Sequence, residues 1–228
     1  MNFKKTIAFT LAEVLVVLGI LGITAAITVP NLKNDMDDRK IVSAVKKAYA
    51  EVDAIYQAIV ESYGRPVEWN VASTTTEANM TKQMGDYFAE FANVTRDCGT
   101  GTGCFATDSE FNSDTNYRKF LMKDGASVAI RVKAMEDLEY VPSSTEFYCK
   151  GVMGYLYIDV NGLKGDNQLD YDTFGFDFCY GNGLLPAGDG AWVTTHEGYT
   201  TAWTIKAGNR DYLKCPDDLN WDSKRTCK

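Results

Sequence analysis

The chain has 228 residues, with 23 Lys+Arg against 31 Asp+Glu for a formal net charge of −8, and it contains one His and six Cys. That length suits one domain with an appendage and is ample for a core. The solitary His196 excludes a metal centre built from two or three imidazoles, and the acidic balance argues against a nucleic-acid groove, which needs clustered positive charge to displace counterions.

In chain order, Met1 to Ala8 carries Lys4 and Lys5, and Phe9 to Val29 follows as twenty-one residues whose only charge is Glu13. At about 1.5 Å per helical residue this run reaches about 31 Å, close to the hydrocarbon thickness of a bilayer. The lysines before it, against charges of both signs after Pro30, predict a single-pass inner-membrane segment with the N-terminus in the cytoplasm and the remainder outside. A cleaved secretory signal is the alternative. Against it stand an apolar run longer than the usual ~7 to 15 residues and the expense of carrying Glu13 through hydrocarbon.

Beyond Pro30 the apolar residues Ile41, Val45, Ala48, Val52, Ile55, Tyr56 and Ile59 recur at spacings of three and four, the signature of an amphipathic helix. It is expected to continue the first segment to about Ser62, with Gly64 and Pro66 as stop signals. Residues 67–78 are polar and rich in Thr and read as a loop. Asn79 to Val94 reads as a shorter helix with Met80, Met84, Tyr87, Phe88 and Phe91 near one face, an arrangement far commoner in cores than in ligand boxes. Between Cys98 and Cys104 three glycines alternate with threonines; no Lys-Ser/Thr follows, so a phosphate loop is excluded and a disulfide-closed loop is expected.

Strand signals occupy 127–133, 154–160, 173–180, 191–195 and 199–205, with Gly-rich joints between them. The expected architecture is α+β: one long N-terminal helix, membrane-spanning in its first half, packed on an antiparallel sheet of four or five strands. The divisions are a leader at 1–8, a transmembrane half at 9–29, an amphipathic half at 30–62 and an exported globular part at 63–228.

The turn between the second and third of those strands holds Asp159, Asn161, Asp166, Asn167, Asp170 and Asp172. Clustered oxygen donors of this kind suit a hard cation, and calcium ligated by Asp159, Asn161, Asp166, Asp170 and Asp172 is the candidate. It is not an EF-hand, because Leu163 stands where an oxygen donor belongs, Gly162 comes too early and no Glu closes the loop. A solvated hairpin whose Asn and Asp supply turns is the other reading. The six cysteines contain no CxxC, which makes zinc ribbons and thioredoxin-like chemistry improbable, and short separations favour Cys98 with Cys104 and Cys215 with Cys227, leaving Cys149 and Cys179. Reduced, buried thiols are the alternative. No catalytic constellation is found: His196 has no nearby Cys or Ser motif, and GxSxG is absent.

The stretch from Lys4 to Leu15, KKTIAFTLAEVL, running on through VVLGILGITAAITVP, resembles the N-terminal signature of type IV pilins and type II secretion pseudopilins. A short basic leader ends in a small residue, Phe opens the mature chain, Thr-Leu follows, Glu13 lies five residues into it and Pro30 closes the run. The resemblance implies cleavage between Ala8 and Phe9 by a prepilin peptidase, with methylation of the new Phe9 amine, although the family normally has Gly where this chain has Ala8. It implies that Glu13 pairs with the Phe9 amine of a neighbouring subunit and sets the register between subunits. The loop beginning Asp159-Val-Asn161-Gly also resembles pseudopilin loops that can hold calcium, and a disulfide near the C-terminus is a feature of many pilins. The implied function is that of a structural subunit, without enzymatic activity, that polymerises with itself or with other pilin-like subunits on the assembly platform of a secretion or pilus machine. A membrane-anchored binding module or enzyme that never polymerises is the rival reading.

Overall fold

A computed structural model of the chain describes residues 10–65, 76–133, 152–165, 167–179, 183–188, 200–221 and 223–227, with residues 27–35 as helical backbone. The chain divides into two units, residues 1–40 and 41–228.

The first helix, α1 (Leu11–Tyr63), starts in the first unit. Thr10 caps it: the Glu13 N–H donates to Thr10 Oγ1 at 3.3 Å while Thr10 N–H returns to Glu13 Oε2 at 2.8 Å. This reciprocal pair is a capping box, and it satisfies two backbone donors that a helix start leaves open. From Leu11 to Ala26 every side chain is exposed.

Among the described residues no helix is long and apolar enough to cross a membrane. This overturns the expected transmembrane half at 9–29, and with it the single-pass inner-membrane placement with a cytoplasmic N-terminus and the remainder outside.

In the second unit α1 buries Val42, Val45, Val52, Ile55, Tyr56 and Ile59, one stripe at helical spacing. α2 (Glu77–Phe91) is capped by Thr76, whose side chain accepts the Asn79 N–H, and buries Met80, Met84 and Phe88. The strands are β1 (Val94–Gly99), β2 (Arg118–Met122), β3 (Ser127–Val132), β4 (Val152–Asp159), β5 (Thr173–Cys179) and β6 (Gly183–Pro186), each antiparallel to the next in the order β1-β2-β3-β4-β5-β6. Val128, Ile130, Leu156, Ile158, Phe174 and Phe176 join the core built with α1 and α2. Behind the sheet a second cluster of Phe105, Phe111, Tyr117 and Ala129 packs with Tyr155 and Tyr157. The short α3 (Glu110–Ser113) supplies Phe111 to it.

The expected fold of four or five strands is therefore corrected to six. β1, β2 and β6 all fall outside the expected strand segments; β1 lies at the sheet edge with its middle residues Thr95 to Asp97 exposed, so it has no apolar alternation. Of the strand expected at 199–205, residues 201–205 lie instead in α4 (Thr201–Ala207), which ends at Gly208 in the left-handed region (φ 68°). Thr201, Ala202, Trp203 and Thr204 are consecutively buried, so the local β-preference of Thr and Trp yields to packing on several sides. The expected strand at 191–195 lies outside the described residues.

Candidate functional site

Two regions draw together the residues singled out from the sequence. The first is the start of α1. Leu11 is 79% exposed and Leu15, Val16 and Ile23 are each above 60%. With the exposed Val14, Val17, Ile20 and Leu21 these positions face all sides of the helix, and apolar surface of that extent marks a contact site. Glu13 is the one charge in this stretch. Its Oε2 accepts both the N–H and the Oγ1–H of Thr10, each at 2.8 Å, so its first role is within its own helix end. Thr10 was missed by sequence reasoning, although Thr-x-x-Glu spacing ahead of an apolar run announces it. The processing residues Ala8 and Phe9 lie outside the described residues.

The second region is the turn joining β4 to β5. Asp159 and Thr173 are direct partners across the strands, which places the ends of both strands at the turn. Asp159 is fully buried. Its Oδ1 accepts the N–H groups of Asn161 at 3.1 Å and Gly162 at 2.8 Å. Gly162 is required there: its φ is 68°, and a Cβ would sit 1.9 Å from the Gly125 carbonyl oxygen. Asp172 is the second buried carboxylate, with Oδ2 accepting Asn161 Nδ2–H and the Asn167 N–H at 3.0 and 2.9 Å, and Oδ1 accepting the Gln168 N–H at 2.8 Å. Burial, and then the neighbouring Asp172 carboxylate, push Asp159 up to about 7, outweighing the N–H groups of Gly162 and Asn161.

Asp159 Oδ2, Asn161 Oδ1 and Asn167 Oδ1 are buried without a hydrogen-bond partner. Such oxygens beside a paired carboxylate suit a hard cation of the calcium type, which takes amide and carbonyl as well as carboxylate oxygens. Asp170 is not brought to them. It turns toward the C-terminal segment, where its Oδ1 accepts the Thr200 hydroxyl. Asp166 lies outside the described residues. Among the described residues no group of three or more His, Cys, Asp or Glu is placed to hold a metal ion, so the carboxylates the turn assembles are Asp159 and Asp172.

A cavity of about 420 Å³ opens at the first turn of α2, lined among others by Glu77, Asn79, Lys82, Thr100, Arg118 and Arg131. Its cations are matched by Arg118 with Asp86 (2.8 Å) and Asp97 (2.5 Å), Lys82 with Asp86 (2.7 Å) and Arg131 with Glu77 (3.0 Å). Three cations against three carboxylates leave no net field to select a charged ligand.

Cys98 pairs with Cys104 and Cys215 with Cys227, at Cα separations of 6.0 and 5.9 Å. Cys179 is buried and disulfide-bonded. Cys149 and His196 lie outside the described residues. Compared with known proteins, the chain matches no family model, no curated protein and no solved structure, so the resemblance at its N-terminus rests on those residues alone.

Proposed function

We propose that the protein is a prepilin-type structural subunit that polymerises through the N-terminal part of α1. The observation that carries this reading is the exposed apolar surface from Leu11 to Ala26, on a helix whose start is closed by Thr10 and Glu13. A helix that is apolar on all sides is stable when other helices cover it. A helix apolar on all sides can set one face against a different face of the same helix in the next copy, a heterologous contact that generates a filament when its rotation does not close into a ring. Cleavage between Ala8 and Phe9 frees the amine that Glu13 of a neighbouring copy would neutralise, since a carboxylate desolvated without a partner costs several kcal/mol.

Co-expression of the full chain with a prepilin peptidase and its assembly machinery tests this. A mature N-terminus at Phe9 by mass spectrometry and filaments by electron microscopy are expected. Glu13→Gln preserves the cap and removes the charge, so it is expected to keep helicity and abolish filaments. An uncut chain, or normal filaments from Glu13→Gln, defeats the proposal.

A second reading is favoured by the buried, unpartnered Asp159 Oδ2: the turn from Asp159 to Asp172 holds a calcium-like cation through Asp159, Asn161 and Asp172. Calorimetric titration of the full chain with calcium chloride is expected to give heat that Asp159→Asn removes. No heat at millimolar calcium ends this reading.

A further inference from the structure

The turn before β5 is gripped from outside the sheet by the C-terminal segment, through polar groups that are almost wholly buried. Thr200 donates its hydroxyl to Asp170 Oδ1, Tyr212 donates Oη–H to the Asp170 carbonyl at 2.8 Å, and Arg210 Nη2–H reaches the Tyr171 carbonyl at 2.5 Å. Thr200, Arg210 and Tyr212 are all buried, and Tyr212 Oη also lies 3.1 Å from the buried Thr204 hydroxyl. What they hold is uncommon: Asp170 has φ 69°, a left-handed conformation that a non-glycine residue keeps only when its surroundings enforce it.

The same short element is tied on its other side to a disulfide. The Asp211 carbonyl accepts the Cys215 N–H at 2.9 Å, and Asp211 Oδ2 accepts the Cys227 N–H at 2.9 Å. Cys215 and Cys227 are bonded to each other, and both are half-buried rather than sealed in the core. Asp211 and Tyr212 are adjacent residues of one 3-10 turn, Asp211–Leu213, so the disulfide and the Asp170 grip share a single turn of backbone.

We infer that the Cys215–Cys227 disulfide is a redox latch on the β4–β5 turn: closed, it keeps Arg210 and Tyr212 in place over Asp170 and Tyr171; opened by a dithiol reductant, it releases them. In that step the S–S bond takes up two electrons and two protons to give two thiols, and the dithiol closes to its own disulfide. Opening removes the cross-link that confines the segment from Cys215 to Cys227, and the left-handed Asp170 then loses the contacts that over-determine it. The cooperating unit is small and peripheral to the core, the kind of segment that opens without global unfolding. This inference goes beyond filament assembly and does not depend on it.

Hydrogen exchange read by mass spectrometry on the full chain tests the latch. Wild-type protein is treated with graded dithiothreitol, alkylated and mapped, so that exchange at residues 170–173 can be plotted against the reduced fraction of Cys215–Cys227. Those amides, which bond within the turn to Gln168 and Thr173 carbonyls, are expected to exchange ~10-fold faster in step with that fraction while β3 stays protected. Tyr212→Phe removes the Asp170 hydrogen bond with the disulfide intact and is expected to speed the same amides. Cys98→Ser/Cys104→Ser is expected to leave them unchanged. Turn amides that keep wild-type protection when Cys215–Cys227 is reduced, or in Tyr212→Phe, overturn the latch.

Discussion

The Arg118 side chain crosses α2 over Gly85, where a Cβ would lie 2.5 Å from Arg118 Cδ and 2.8 Å from its Cγ. The glycine weakens the helix locally, yet it lets Arg118 pass from β2 to reach Asp86 and Asp97. A mid-helix Gly→Ala change ordinarily stabilises by about 1 kcal/mol. Here Gly85→Ala is expected to destabilise by about 1 to 3 kcal/mol, because the stem is trapped between two ion pairs and must be displaced. In an Arg118→Ala background the same change is expected to turn stabilising. Urea-unfolding midpoints of the four proteins read the reversal of sign, and its absence removes this account of Gly85.

Thr10 and Glu13 make separable contributions. Thr10→Ala deletes the side chain that accepts the Glu13 N–H and is expected to cost about 1 kcal/mol of local helix stability. Glu13→Gln keeps a side-chain oxygen for the Thr10 N–H and is expected to fray the helix start less than Thr10→Ala does. Amide exchange at the first turn of α1 distinguishes the two; equal fraying in both variants would contradict the capping box.

Asp159 predicts a particular pH dependence. An ordinary aspartate near 3.8 is raised here to about 7. Between about pH 4 and pH 7 the folded chain therefore binds more protons than the unfolded chain at this group, so its contribution to stability declines as pH rises through that window and levels off above it. Asp177, likewise pushed up to about 7 by burial against the opposing pull of Lys133, shares the window. Asp159→Asn retains an oxygen for the Asn161 and Gly162 N–H groups and is expected to stabilise at pH 8, leave pH 4 nearly unchanged and flatten the slope to the part due to Asp177. Thermal melts in chelator-containing buffers across pH 4 to 8 measure this, and an unchanged slope rejects the assignment.

Lys119 is fully buried, and its Nζ donates to the carbonyls of Phe111, Asn112 and Asp114 at 3.2, 3.1 and 2.8 Å. Lys119→Met preserves much of the volume and leaves those three oxygens without a donor, a loss expected at about 1 to 3 kcal/mol. The damage should concentrate on the aromatic cluster where Phe111 meets Tyr117 and Tyr157. Near-UV circular dichroism should therefore change before the far-UV signal does; simultaneous loss of both would mean that Lys119 supports the whole sheet.

Where the chain's pattern is local, reading it in order sufficed. The stripe from Val45 to Ile59 is visible because residues three and four apart share one helix face. Met80, Met84 and Phe88 mark α2 in the same way, and the small separations within Cys98–Cys104 and Cys215–Cys227 favoured those pairs. The Asp159 turn was also legible as a cluster of oxygen-bearing side chains, since its members are neighbours in sequence.

Its interior arrangement was not legible. That Asp172 faces Asn161 while Asp170 is drawn to Thr200 depends on a segment thirty positions away, and nothing in the spacing of the aspartates distinguishes them. The apolar run at the N-terminus suggested a membrane crossing by its length, whereas among the described residues no helix is long and apolar enough to cross a membrane.

By itself, then, the sequence determined the helical faces, the short cysteine pairs and the position of the acidic turn, all of which follow from the periodicity of neighbouring residues. Only the tertiary structure decided that β1 is a strand, that 201–207 is a helix, that Lys119 is buried and that Gly85 makes room for Arg118. Each of these depends on contacts between segments distant along the chain, whose desolvation and hydrogen bonding override the preferences of the residues taken alone.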